Sequence, residues 1–116
     1  VPDKQLMINK FPAVSACLAE GNIYYASDSI YKIDLMDSNL KTVKIYDDKP
    51  NIIKYCDGRI YCGNKERGII YSIDLSGSGY RELYTGYNGT AMDAGKDYVS
   101  VGYPQSETFR IIRINE

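Results

Sequence analysis

Tyr31-Lys32-Ile33-Asp34-Leu35 returns forty residues later as Tyr71-Ser72-Ile73-Asp74-Leu75. Upstream of each copy stands a strand start, Ile23-Tyr24-Tyr25 in the first case and Ile60-Tyr61-Cys62 in the second. Downstream of each come a polar turn and a further short apolar run. A worn third copy, Ile111-Ile112-Arg113-Ile114-Asn115-Glu116, closes the chain. Ile23 and Ile60 are 37 residues apart, and 38 or 39 more reach Tyr98 or Val99.

Working outward from the repeat, polar and Gly-rich breaks predict a lone strand over 4–9. A first set follows over 14–20, 23–27, 30–35 and 40–46, and a second over 52–56, 59–63, 68–75 and 80–85. Three more strands are expected over 90–94, 97–102 and 109–115. Asp57-Gly58 is a strong hairpin signal. No apolar period of about 3.6 residues persists for a helix length, so essentially no helix is expected. Gly68-Ile69-Ile70-Tyr71-Ser72-Ile73 is apolar on both faces, as for a sheet covered on each side rather than one wet face of a sandwich. Four antiparallel strands in about 40 residues is the period of a β-propeller blade.

The expected fold is therefore all-β, a β-propeller of four-stranded antiparallel blades. Three blades fall in this chain, fewer than the four to eight with which propellers typically close. The 116 residues are one domain with units of about 10–47, 48–86 and 87–116, plus the strand over 4–9. That strand is expected to pair with 109–116 and complete the third unit, sparing an open edge. Three blades leave two apolar end faces, carrying residues such as Ile23, Tyr25, Ile111 and Ile114. A second copy closing the ring as a homodimer, or the missing half of a longer chain, would cover them. The start at Val1-Pro2, without an initiating Met, leads us to expect preceding residues.

Fourteen Lys and Arg against fifteen Asp and Glu give a net charge of −1, which argues against a nucleic-acid binder. Asp47-Asp48 and Lys65-Glu66-Arg67 read as ordinary solvated loop charges. No apolar run reaches the roughly 20 residues of a membrane span, and no signal peptide is visible. Three cysteines are too few for a disulfide framework. If Asp57-Gly58 is a two-residue turn, Cys56 pairs with Arg59 and Cys62 lies opposite Ile53. The two sulfurs then face opposite sides, and all three thiols read as free and at least half-buried.

The repeats Ile23-Tyr24-Tyr25, Ile30 to Leu35 and Met36-Asp37-Ser38-Asn39-Leu40 resemble the blade of low-density-lipoprotein-receptor-type (YWTD) propellers. The chain is similar, more closely still, to bacterial propeller proteins of unknown function related to those receptors. The resemblance covers about 15–116. It departs at Tyr25-Ala26-Ser27 and Cys62-Gly63-Asn64, where the family carries Trp-Thr-Asp, so the family's inter-blade Asp network is not implied. The resemblance implies a six-bladed propeller that binds rather than catalyses, in an extracellular or cell-surface setting.

The absence of His excludes His-based triads and His-containing zinc sites. Ser76-Gly77-Ser78-Gly79 joins two strands and opens no helix, so it reads as a plain turn. Asp34 and Asp74 end strands and are expected to bond the following turn, the competing reading being ligands in a central channel. No metal site, cofactor or catalytic residue is expected. If the fold holds, the loops 26–29, 47–51, 63–68, 86–90 and 102–108 share one rim. Arg67, Tyr87, Asn88 and Tyr103 are the candidate partner-binding residues there, offering guanidinium, amide and aromatic groups. The favoured reading is a non-enzymatic module binding a protein or peptide; the alternative is a carbohydrate-binding, lectin-like propeller assembled from short chains. An enzyme built on channel carboxylates is the third class.

Overall fold

Two-residue turns shape the first hairpin of each of the first two units. Asp57 and Gly58 have φ of 50° and 83°, both left-handed, which matches the twist of the flanking strands. Glu20 and Gly21 repeat this geometry at 51° and 83°. The computed structural model describes residues 13–89, 91–103 and 108–114. Among them are eleven strands and no helix. Among the described residues, therefore, no helix is long and apolar enough to cross a membrane.

The first sheet is β1 (Ser15–Ala19), β2 (Asn22–Ala26), β3 (Ile30–Asp34) and β4 (Thr42–Tyr46), in that order. The second is β5 (Ile52–Cys56), β6 (Arg59–Asn64), β7 (Ile69–Asp74) and β8 (Arg81–Thr85). The third holds β9 (Met92–Ala94), β10 (Tyr98–Tyr103) and β11 (Thr108–Arg113), with β10 central. All neighbours are antiparallel. The repeat extends to irregularities: the register slips at Ile30/Tyr31 between β3 and β4, and at Ile70/Tyr71 between β7 and β8. The first strands of the sheets gather, β1 beside β5 and β5 beside β9. Ser15 Oγ accepts the Ile53 amide at 3.0 Å across the first of these junctions.

Side chains alternate faces along a strand, and the second sheet uses both of its faces. Ile60, Cys62, Ile69, Tyr71 and Ile73 pack with Ala19, Tyr24, Ala26 and Ile30 of the first sheet. Tyr61 and Ile70 pack the other way, with Met92, Val99 and Val101 of the third. The two-faced apolar reading of 68–73 is what this arrangement needs. The Tyr24 hydroxyl ties the first seam, donating to the Leu75 carbonyl at 3.0 Å. Cys56 pairs with Arg59 and Cys62 with Ile53, on opposite faces, and all three cysteines are free thiols.

The strand over 40–46 starts later than expected, at Thr42. Leu40 has a left-handed φ of 50°, and the Asp37 carboxylate accepts the amides of Asn39 (3.0 Å) and Lys41 (3.3 Å), extending the turn. Of the residues expected on open end faces, Tyr25 is instead buried, and Ile114 is half-buried against the core between the second and third sheets. Ile23 is half-buried and Ile111 exposed. The strand expected over 4–9 lies outside the described residues.

Candidate functional site

Four of the five loops expected to share a rim, 26–29, 47–51, 63–68 and 86–90, are tied to one another. Ser29 donates to Asp47 at 3.2 Å, linking the β2–β3 turn to the segment between the first two sheets. The Asn51 carboxamide oxygen accepts the Lys65 amide at 3.0 Å, and its nitrogen donates to the Tyr87 hydroxyl at 3.0 Å. The Gly68 carbonyl accepts the amides of Gly86 and Tyr87 at 2.8 and 3.1 Å.

Asp48 is the centre of this bracing and not an ordinary solvated loop charge. Its oxygens accept both contacts of the Asn64 amide group, at 3.0 and 3.1 Å, and the Tyr71 hydroxyl. Arg67 adds an ion pair at 3.4 Å. Burial pushes the carboxyl up, but the bonds from Tyr71, Asn64 and the Lys49 amide, with the Arg67 charge, outweigh it and hold Asp48 below the usual carboxylate range. Burial drives the Tyr71 phenol far above its ordinary value, so it remains a donor. Around this group three rings cluster, Tyr46, Tyr71 and Tyr80, with centroids 5.1 to 6.2 Å apart. Tyr80 is exposed.

Arg67 projects from this rim with about half its side chain open (49%). Asn88 is exposed on the adjoining loop. Tyr87 is an interior residue at 2% exposure, seated where Gly63 leaves room: a Cβ there would come within 2.8 Å of the Tyr87 ring. Tyr103 belongs to the next seam, its hydroxyl 3.0 Å from that of Tyr84 beside a groove of about 630 Å³ bounded by Gly86, Thr108, Phe109 and Arg110. The rim thus gathers Arg67 with the Tyr87-Asn88 loop and leaves Tyr103 in the neighbouring seam. Asp48, Asn64, Tyr71 and Tyr80 were not singled out by sequence. Their juxtaposition depends on partners 16 and 23 residues apart meeting across a seam, and no local motif marks it.

The carboxylates at the strand ends serve their turns. Asp34 accepts the Met36 amide at 2.9 Å, and Asp74 accepts the amides of Ser76 and Ser78 at 3.0 Å. Among the described residues, no three Cys, Asp or Glu side chains gather to hold a metal. Burial pushes the Cys17 thiol up to about 11 and the Cys62 thiol higher still, so both are poor nucleophiles near neutrality.

No protein-family model and no curated protein matches the chain. Among solved structures it is similar to the N-terminal domain of Nup159, a β-propeller, with a TM-score of 0.65 at 12% identity. The fold is propeller-like. The match covers 87% of this chain and 27% of that domain, so the chain spans about a quarter of its length. It is also similar to the computationally designed Ika4 protein, with a TM-score of 0.56 and 11% identity over 96% of each chain. At these identities the likeness carries the propeller-like architecture alone.

Proposed function

We propose that the three sheets are three blades of a six-bladed ring, and that the chain is a non-enzymatic interaction module binding a protein or peptide through the braced rim. This reading takes its setting, outside the cell or at its surface, from the likeness of the repeats to lipoprotein-receptor-type blades. The observation that carries it is the bracing itself. Asp48, Asn51 and Asn64 spend their hydrogen bonds on neighbouring loops, so the rim is preorganised before any partner arrives, which lowers the ordering cost of binding. Onto that frame the chain sets Arg67, Tyr80 and Asn88, a guanidinium, a phenol and an amide. Arg and Tyr are the side chains that most often anchor interfaces, and Arg67 selects for a carboxylate or carbonyl on the partner.

Panning a displayed peptide library on the chain tests this. Enriched peptides should carry an acidic residue and lose about tenfold in affinity on Arg67→Ala, roughly 1.4 kcal/mol. Peptides indifferent to both Arg67→Ala and Tyr80→Ala would remove the rim from consideration. A glycan-array signal abolished by Tyr80→Ala would favour carbohydrate instead.

A further inference from the structure

The far face of the third sheet carries three exposed large apolar side chains. Residues 98, 100 and 102 of β10 pair with 113, 111 and 109 of β11, so Tyr98, Ser100, Gly102, Phe109 and Ile111 share that face. Phe109 is 69% exposed, Ile111 62% and Tyr98 42%. Two shallow grooves of about 540 and 410 Å³ cross it, one bounded by Tyr98 and Ile111, the other by Ala91 and Phe109. The first sheet ends the other side of the arc with Leu18 at 69% exposure.

The repeat says what these faces are for. Tyr55, Ile60, Cys62, Tyr71 and Ile73 form the face of the second sheet that packs on the first. Stepping back 37 residues on β5 and β6, and 40 on β7, gives Leu18, Ile23, Tyr25, Tyr31 and Ile33, which share the outer face of the first sheet. Stepping forward 39 residues from Lys54, Tyr61 and Gly63 gives Asp93, Ser100 and Gly102, on the outer face of the third. The outer faces of the first and third sheets are thus equivalent to the two faces of the seam that already joins first sheet to second and second to third. Tyr25 and Ile33 are already buried, so the open part of the first sheet's face lies toward Leu18.

We propose that a second copy of this chain completes the seam, the third sheet of each copy packing on the first sheet of the other to close a two-chain ring. This rests on reading the three sheets as three blades of six. A two-fold axis makes both seams at once and covers Phe109 and Ile111 of the third sheet together with Leu18 of the first. The designed protein above is similar over 96% of each chain, so the likeness takes in all three sheets. The repeat also places two residues relative to each other. Leu18 stands where Tyr55 does and Asp93 where Cys17 does, and Tyr55 and Cys17 border the same core. Leu18 of one copy and Asp93 of the other are therefore placed at the border of one shared core.

Light scattering at micromolar concentration should give about 26 kDa, twice the 13.1 kDa of one chain. Phe109→Glu and Leu18→Glu should each return the mass to that of one chain with an unchanged far-ultraviolet dichroism spectrum, both positions being exposed within the chain. Adding Asp93→Lys to Leu18→Glu should restore the dimer, since the new charges border one shared core across copies. A folded wild-type monomer overturns the proposal, as does a dimer indifferent to both single substitutions. Peptide binding at the rim is read separately, so a monomer that still binds would leave the rim standing.

Discussion

Tyr71 and Asn64 reach Asp48 from the second sheet, so one carboxylate answers for the rim at the first seam. Its neighbour Asp47 accepts from Ser29. Replacing Asp48 by Asn keeps the shape but turns part of an acceptor into a donor facing two donors. Hydrogen bonds to a charged group are worth about 1.5–3 kcal/mol each, whereas the Arg67 pair, half in water, adds little. We expect Asp48→Asn to cost about 1–3 kcal/mol at pH 7. The Asp48 carboxyl is depressed in the folded chain, so its contribution is complete above the unfolded value of about 3.9 and is lost as pH falls through the lower folded value. Urea unfolding should show a constant gap between wild type and Asp48→Asn above about pH 5 that narrows below pH 4. A gap unchanged down to pH 3 would show that the charge contributes nothing.

The turns between strands divide into those that only bend the chain and those that also pack. Gly58 is left-handed at 83°, with nothing within 4 Å of a Cβ. Gly77 is left-handed at 91°, and a Cβ there would fall 2.0 Å from the Ile45 carbonyl oxygen, in the adjacent sheet. Gly58→Ala should therefore cost only the left-handed penalty of about 1–2 kcal/mol. Gly77→Ala must also part the first and second sheets at their outer edge, and we expect at least about 3 kcal/mol. Equal chemical-denaturation midpoints for the two variants would refute the distinction. The same contrast explains what was legible in the sequence. Asp57-Gly58 announces its turn locally, and that turn fixes the register setting Cys56 against Arg59 and Cys62 against Ile53. The repeat and the two-faced apolar run at 68–73 likewise placed the sheets. The sequence did not show that the Tyr87 ring is buried at the rim, because the space it fills is the missing Cβ of Gly63, distant in sequence. Leu40 was read as strand because nothing in a Leu signals a left-handed backbone. In both, a contact distant in sequence or a backbone angle overrode side-chain type.

At the scale of the whole molecule, three sheets make two seams, and only the second sheet belongs to both. Ile60, Cys62 and Tyr71 face one core while Tyr61 and Ile70 face the other, so β6 and β7 cannot open without disrupting both. Among the described residues the third sheet packs on one side only, and four successive residues of β11, 108–111, are exposed. In stacked repeats, stability is approximately a sum of each unit and its interfaces, and amides exchange through the smallest opening that frees them. Hydrogen exchange should therefore rank β6 and β7 slowest, near the global unfolding free energy of about 5–10 kcal/mol. β11 should open several kcal/mol more easily. The Phe109→Glu chain is the one to measure, because a second copy over the third sheet would slow β11 for a different reason. In wild type, dilution should then speed exchange in β11 before it touches β6 or β7. If β11 in the Phe109→Glu chain were as protected as β7, the sheets would open as one unit, and neither seam would be the weaker.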